Sequence, residues 1–357
     1  MAGAAWTTRA RRAYEPAAGP TRNATAMFGP QLRARLQRPQ PMLTAAPAVV
    51  LETGMAGHRM HAPTPTVQPV RGVAALLIRR PVLAYFLLAY AISWTLWLPR
   101  IATVQGWWSV AIPAWWHYLG AYGPILAALA IAWGSGGGRG VRALLGQYRP
   151  SRAPVRWLLF AIGSPLALLG LGLVAARLVD GAWPSLADVS RASDLPALAL
   201  PLTLLVHICT FGIGEETGWR GFALPRLQAT RTAMQATHLL ALGWGIWHLP
   251  SFFENDSYAT YNPLQLVGWA AGLWMGAIFL TWLYNSSRGS LLVVVLWHGL
   301  YNQFAASQAS AIIPAVMTAG VILVAIVAIR LAGPQELTGL SPTAGTAQRH
   351  PVPAAAA

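Results

Sequence analysis

Acidic residues are scarce in this chain: ten Asp and Glu stand against 25 Lys and Arg in 357 residues. Charged residues of both signs amount to 10% of the sequence, where soluble domains average about 25%. With 55% hydrophobic residues, this excludes an ordinary soluble domain and points to an integral membrane protein. Cysteine is nearly absent as well. The single Cys209 excludes an internal disulfide framework and a Cys-based metal site, and it reads as a small buried packing residue. The net charge of +15 suggests a nucleic-acid partner, but the cations are almost all Arg in the N-terminal tail and in loops. They lack the aromatic interleaving and fold signature of a nucleic-acid reader, so the expected partner is the lipid bilayer.

What is present is long apolar sequence between two polar tails. Residues 1–75 are rich in Ala, Pro, Arg and Thr and have too little apolar surface to fold alone, so they read as a disordered tail. The stretch has the Arg-rich, acid-poor bias of a transit peptide and no signal-peptide core. An over-extended gene start, with initiation at Met55 or Met60, fits the same composition. Residues 334–357 read as a second disordered tail.

Between them, in a membrane domain spanning 76–333, eight apolar stretches of spanning length fall near 82–99, 117–134, 156–178, 197–222, 235–253, 263–285, 290–307 and 311–332. The expected fold is all-α, a polytopic membrane helix bundle of about eight transmembrane helices. Arg79 and Arg80, then Arg139 to Arg156, then Arg226 and Arg231, then Arg288, occupy alternate connections. Asp180, Asp188, Asp194, Glu254 and Asp256 occupy the others. Positive residues favour the cytoplasmic side, so both termini are expected there, with Trp107, Trp108, Trp115 and Trp116 as an aromatic belt on the outer side.

Against that background, Glu215 and Glu216 stand out as the only acids between Asp194 and Glu254, in an apolar stretch. Ionisable groups at membrane depth are functional-site candidates unless paired or facing a polar cavity. Arg220 follows Glu216 by four residues, which on a helix places the two on one face as an ion pair and leaves Glu215 free. Two further constellations lie in other apolar stretches: Trp244-x-x-x-His248, and His298-x-x-x-Asn302 with imidazole and carboxamide on one helical face. One helix thus contributes a carboxylate, a second a His, and a third a His plus an amide. That set suits activation of water, with Glu215 and an imidazole taking its proton and His298 and Asn302 holding an oxyanion.

Each motif also has a plain structural reading. Glu216 with Arg220 can be a structural ion pair, His248 or His298 alone a helix-bridging residue, and Asn302 interhelical glue. Trp244 reads as packing, His207 and His238 as structural, and His117 as interfacial.

At these residues the chain resembles the CPBP intramembrane proteases, the family of CAAX prenyl proteases and bacteriocin-processing enzymes. The resemblance runs over about 197–306. Gly-Glu-Glu-Thr-Gly-Trp-Arg-Gly-Phe looks like the family's Glu pair followed by an aromatic and Arg-Gly. Trp219 stands where Phe or Tyr is commoner. Trp244-x-x-x-His248 stands for Phe-x-x-x-His, and His298-x-x-x-Asn302 is intact.

The resemblance implies an intramembrane endopeptidase acting on membrane-associated protein or peptide substrates. Glu215 and His248 would activate water, His298 and Asn302 would stabilise the oxyanion, and Glu216 and Arg220 would hold the site together. No cofactor is favoured. A zinc ion is the alternative, on Glu215, His248 and His298, although His-Glu-x-x-His is absent. Two competing functions use the same residues differently: a non-proteolytic scaffold or bacteriocin-immunity-type protein that keeps the polar site for packing, and a proton-coupled transporter. No inverted repeat or paired broken helices support the transporter.

Overall fold

A computed structural model describes residues 79–339, apart from 193, 194, 196, 197, 255–257 and 259. The expectations for residues 1–75, for the translation start and for the chain beyond 339 lie outside the described residues.

The described chain is all-α, with one isolated bridge between Ala192 and Ser307. Helix α1 is Pro81–Val104. A 3-10 segment, Ala114–Tyr122, runs into α2, Gly123–Leu145, and α3 is Val155–Asp180. After the short α4, Leu186–Ser190, comes a composite helix, α5. It is built from Leu200–His207, Ile208–Glu215, Glu216–Gly218, Trp219–Ala223 and Leu224–Gln228. Helices α6, Ala233–Trp247, and α7, Ser251–Glu254, precede α8, Pro263–Ser286, α9, Leu291–Ala305, and α10, Ile312–Glu336. Local chemistry sets several of these boundaries. Thr232 with Gln235 and Asn262 with Gln265 form capping boxes that start α6 and α8, and Gly181 closes α3 in the left-handed region (φ 78).

Five segments are long and apolar enough to cross a membrane: α1, the Ala114–Tyr148 stretch containing α2, α3, α8 and α10. These mark an integral membrane protein. The other three expected stretches are helical but differ in kind. Helices α6 and α9 have 15 residues each, and α5 changes its winding several times.

The long helices turn leucines outward, such as Leu159, Leu171 and Leu178 on α3 and Leu323 and Leu331 on α10. Buried at the centre lie Trp219, Arg220, Phe222 and Leu224 of α5 and Leu291, Val293 and Val294 of α9. Indole N–H groups tie the ring together. Trp97 donates to the His117 carbonyl (2.7 Å), Trp247 to Ser93 Oγ (2.7 Å) and Trp297 to Ser164 Oγ (3.0 Å). In an apolar surround a buried N–H must find an acceptor, and these bonds cross between helices.

Two expectations shift. Packed structure continues past residue 334: Leu337 is fully buried, and the Gly339 N–H donates to Ser286 Oγ (2.7 Å). Cys209 is half-buried rather than buried.

Candidate active site

The Glu pair sits where α5 changes its winding. Glu215 ends the π-helical stretch Ile208–Glu215, Glu216 opens a single α turn, and Trp219 starts a second π stretch. π turns are rare, are frequent at functional sites, and re-aim the side chains around them. Helix α9 can approach this region closely because two contact positions have no side chain. A Cβ on Gly212 would lie 2.7 Å from the Val295 carbonyl oxygen, and one on Gly299 would lie 2.7 Å from the Ile208 Cα. That approach brings His298 of α9 against the carboxylates of α5.

Glu216 is fully buried and compensated by two groups. Arg220 Nη1 donates to its Oε1 at 2.9 Å, and His298 Nδ1 meets the same oxygen at 2.7 Å. Arg220 is itself fully buried, with its guanidinium 4.8 Å from the centre of the Trp244 ring. Glu216 Oε2 and Arg220 Nε and Nη2 are sealed without a partner among the described residues. The expected Glu216–Arg220 pair is therefore present and gains a third member from another helix.

Glu215 is 2% exposed and not free. Its Oε2 accepts two indole N–H groups, from Trp219 at 3.2 Å and from Trp244 of α6 at 2.8 Å. Regular helical spacing leaves this carboxylate unpaired and facing His248, His298 and Asn302. The structure bonds it to neutral donors, and the hydrogen bond of His298 Nδ1 goes to Glu216. The reason is that the mutual facing of three helices depends on packing, which i,i+4 spacing along one helix does not contain.

His248 is half-buried at the end of α6, and its Nδ1 lies 2.7 Å from the Trp244 carbonyl. A carbonyl only accepts, so Nδ1 carries the hydrogen and Nε2 keeps its lone pair. The His248 ring stands edge-on to Trp247 (4.8 Å) and Trp269 (5.8 Å). Asn302 lies one turn beyond His298, half-buried, and its carboxamide makes no hydrogen bond to a described residue.

Trp244, expected to be packing, is the hub. It donates to Glu215, its carbonyl orients His248, and its ring lies beneath Arg220 and edge-on to His298 (5.9 Å). One signal was available in the sequence: a Trp among buried apolar residues still has an N–H to satisfy. The remaining histidines have partners elsewhere. His207 meets the Tyr118 hydroxyl (2.9 Å), His238 accepts from Trp274 (3.0 Å), and His117 meets the Ala114 carbonyl (2.8 Å).

The zinc alternative would draw on Glu215, His248 and His298. Among the described residues no three His, Cys, Asp or Glu lie together as metal ligands. The Glu215 oxygen that has partners is already held by two indoles, and His298 Nδ1 is turned to Glu216. Away from the site, in the connection after α6, Glu254 is buried with its Oε2 unpartnered. Burial raises its carboxyl from the ordinary range to about 8, against an opposing pull from Arg100.

Residues 197–304 match the family model described as Type II CAAX prenyl endopeptidase Rce1-like. This segment of the chain is similar to that family. It contains Glu215, Glu216, Arg220, Trp244, His248, His298 and Asn302, and so the whole of the site above. The chain is also similar to CAAX prenyl protease 2 of Methanococcus maripaludis, with 31% identity over 105 residues. That match covers 28% of this chain and 38% of the relative's length. Helices α1 to α3 and α10 lie outside the matched residues.

Proposed function

We propose that the protein is an intramembrane endopeptidase that hydrolyses peptide bonds of membrane-associated proteins or peptides. The observation that carries this reading is a buried carboxylate, Glu215, held by two indole N–H groups, one of them from the same Trp244 whose carbonyl orients His248 and whose ring stands edge-on to His298. A carboxylate neutralised by an arginine is a weak base, whereas one fixed by indoles remains available to accept a proton.

In the proposed reaction, water is deprotonated by Glu215, with His248 Nε2 as the second acceptor. The oxygen attacks the scissile carbonyl carbon, and the C–O π electrons move to the carbonyl oxygen. Asn302 donates to that oxyanion from its amide. His298 can donate from Nε2 only as imidazolium, because its Nδ1–H already faces Glu216, and the Glu216 carboxylate supplies the counter-charge. When the tetrahedral intermediate collapses, the C–N bond breaks and the proton held by Glu215 passes to the leaving amine. No step is routed through a metal. The same reading puts both termini on the cytoplasmic side, following the arginine-rich connections.

The test is to map peptide termini in membranes of cells expressing wild-type or Glu215→Gln protein. The proposal expects a set of new termini that needs Glu215. Identical termini in both, together with a cellular phenotype unchanged by the substitution, would instead favour the scaffold reading.

A further inference from the structure

The two indoles on Glu215 bond the same oxygen, although they come from different helices. Trp219 lies on α5 itself, one turn beyond the carboxylate, and Trp244 lies on α6. A carboxylate oxygen has two lone pairs in the plane of the group, so two N–H donors occupy Oε2 fully. Oε1 accepts no hydrogen bond from a described residue and is not among the sealed atoms, unlike Oε2 of Glu216. The two oxygens of Glu215 are therefore chemically distinct in the resting protein.

Both donors are held rigidly. Trp219 is fully buried between Tyr85 (edge-on, 5.5 Å), Phe86 (5.8 Å) and Trp247 (edge-on, 5.9 Å). Trp244 is fixed between Arg220 and the rings of His248 and His298. Its main chain also takes the His248 Nδ1–H, so one residue orients both members of the proposed water-activating pair.

We propose that Trp219 and Trp244 form an indole clamp that occupies Glu215 Oε2 and reserves Oε1 to accept the proton of water. They are positioning residues, and the inference rests on the endopeptidase reading above. A Phe at position 244 would pack similarly but could not donate. The clamp is thus a property of this chain's own side chains.

The decisive variant keeps the shape of Trp244 and removes only its N–H: Trp244→benzothienylalanine, made in full-length protein and compared with Trp244→Phe. The first readout needs no substrate. The infrared carboxylate band of Glu215 is isolated by subtracting the Glu215→Gln spectrum, and the clamp predicts that the isostere moves this band. The second readout uses a quenched-fluorescent form of a peptide whose cleavage depends on Glu215.

There kcat is expected to fall roughly tenfold, the effect of losing one hydrogen bond to a charged group, with KM unchanged. An unmoved band overturns the clamp. A moved band with unchanged kcat overturns its role in selecting the reactive oxygen. If no cleaved peptide depends on Glu215, the endopeptidase reading and the selecting role fall together, while the band still decides whether the bond to Trp244 exists.

Discussion

Glu215 and Glu216 are adjacent in the chain, and the fold surrounds them in opposite ways. On the Glu216 side, one oxygen is shared by a guanidinium and an imidazole, all three groups are buried, and Glu216 Oε2 and Arg220 Nε and Nη2 are sealed without a partner among the described residues. On the Glu215 side two indole N–H groups bond one oxygen, and among the described residues no arginine pairs with the carboxylate and the other oxygen accepts no hydrogen bond. Both are buried, so burial alone does not distinguish structure from chemistry. What distinguishes them is the kind of compensation. A charge matched by opposite charge holds helices together, whereas a charge fixed by neutral dipoles keeps its basicity.

The largest effect that could break this contrast is on turnover. Glu215→Gln keeps the size of the side chain and should reduce kcat by about 10²- to 10⁴-fold, the usual contribution of a general base, with thermal unfolding unchanged. Steady-state cleavage of a Glu215-dependent peptide checks it.

Next in size is the structural carboxylate. Glu216→Gln leaves Arg220 buried without a counter-ion and should lower stability by about 3–5 kcal/mol, measured by unfolding in mixed detergent micelles. Adding Arg220→Met should recover much of that loss, because removing both charges is far less damaging than removing one. Asn302→Ala should follow, with kcat down by about 10²- to 10³-fold and stability little changed, the signature of a lost oxyanion donor.

A smaller effect concerns Glu254. Its folded-state value of about 8 lies above the ordinary carboxyl value of 4.5. The folded protein therefore holds the proton more tightly than the unfolded chain between these pH values. Stability is fully retained below about 4.5 and falls as pH rises towards 8. Glu254→Gln should flatten that decline, so its melting temperature should exceed that of wild type at pH 8 and match it near pH 4. The smallest effect is a null result: chelators should leave turnover within about twofold, since the Glu215, His248 and His298 donors are not gathered as metal ligands.

How much of this was legible in the sequence depended on whether an interaction was local. Apolar stretches of spanning length marked all the major helices, because the period and length of apolar runs are local properties. The pairing of Glu216 with Arg220 was legible for the same reason. The bond from His298 to Glu216 was not, since it requires α9 to close on α5 at Gly212 and Gly299, and spacing within one helix carries no information about that approach. The change of winding around Glu215 was likewise invisible to a reading that assumed regular helical spacing. Trp244 was passed over because an aromatic in an apolar run fits packing so readily. Its N–H needed an acceptor, and a lone carboxylate nearby was a candidate.

The most direct test of the division between the two glutamates is to measure turnover and unfolding free energy on the same preparations of Glu215→Gln and Glu216→Gln. The account predicts two separated outcomes: cleavage lost with stability retained for Glu215→Gln, and stability lost for Glu216→Gln. If the two variants lose stability equally, or if Glu215→Gln cleaves at the wild-type rate, the account is contradicted.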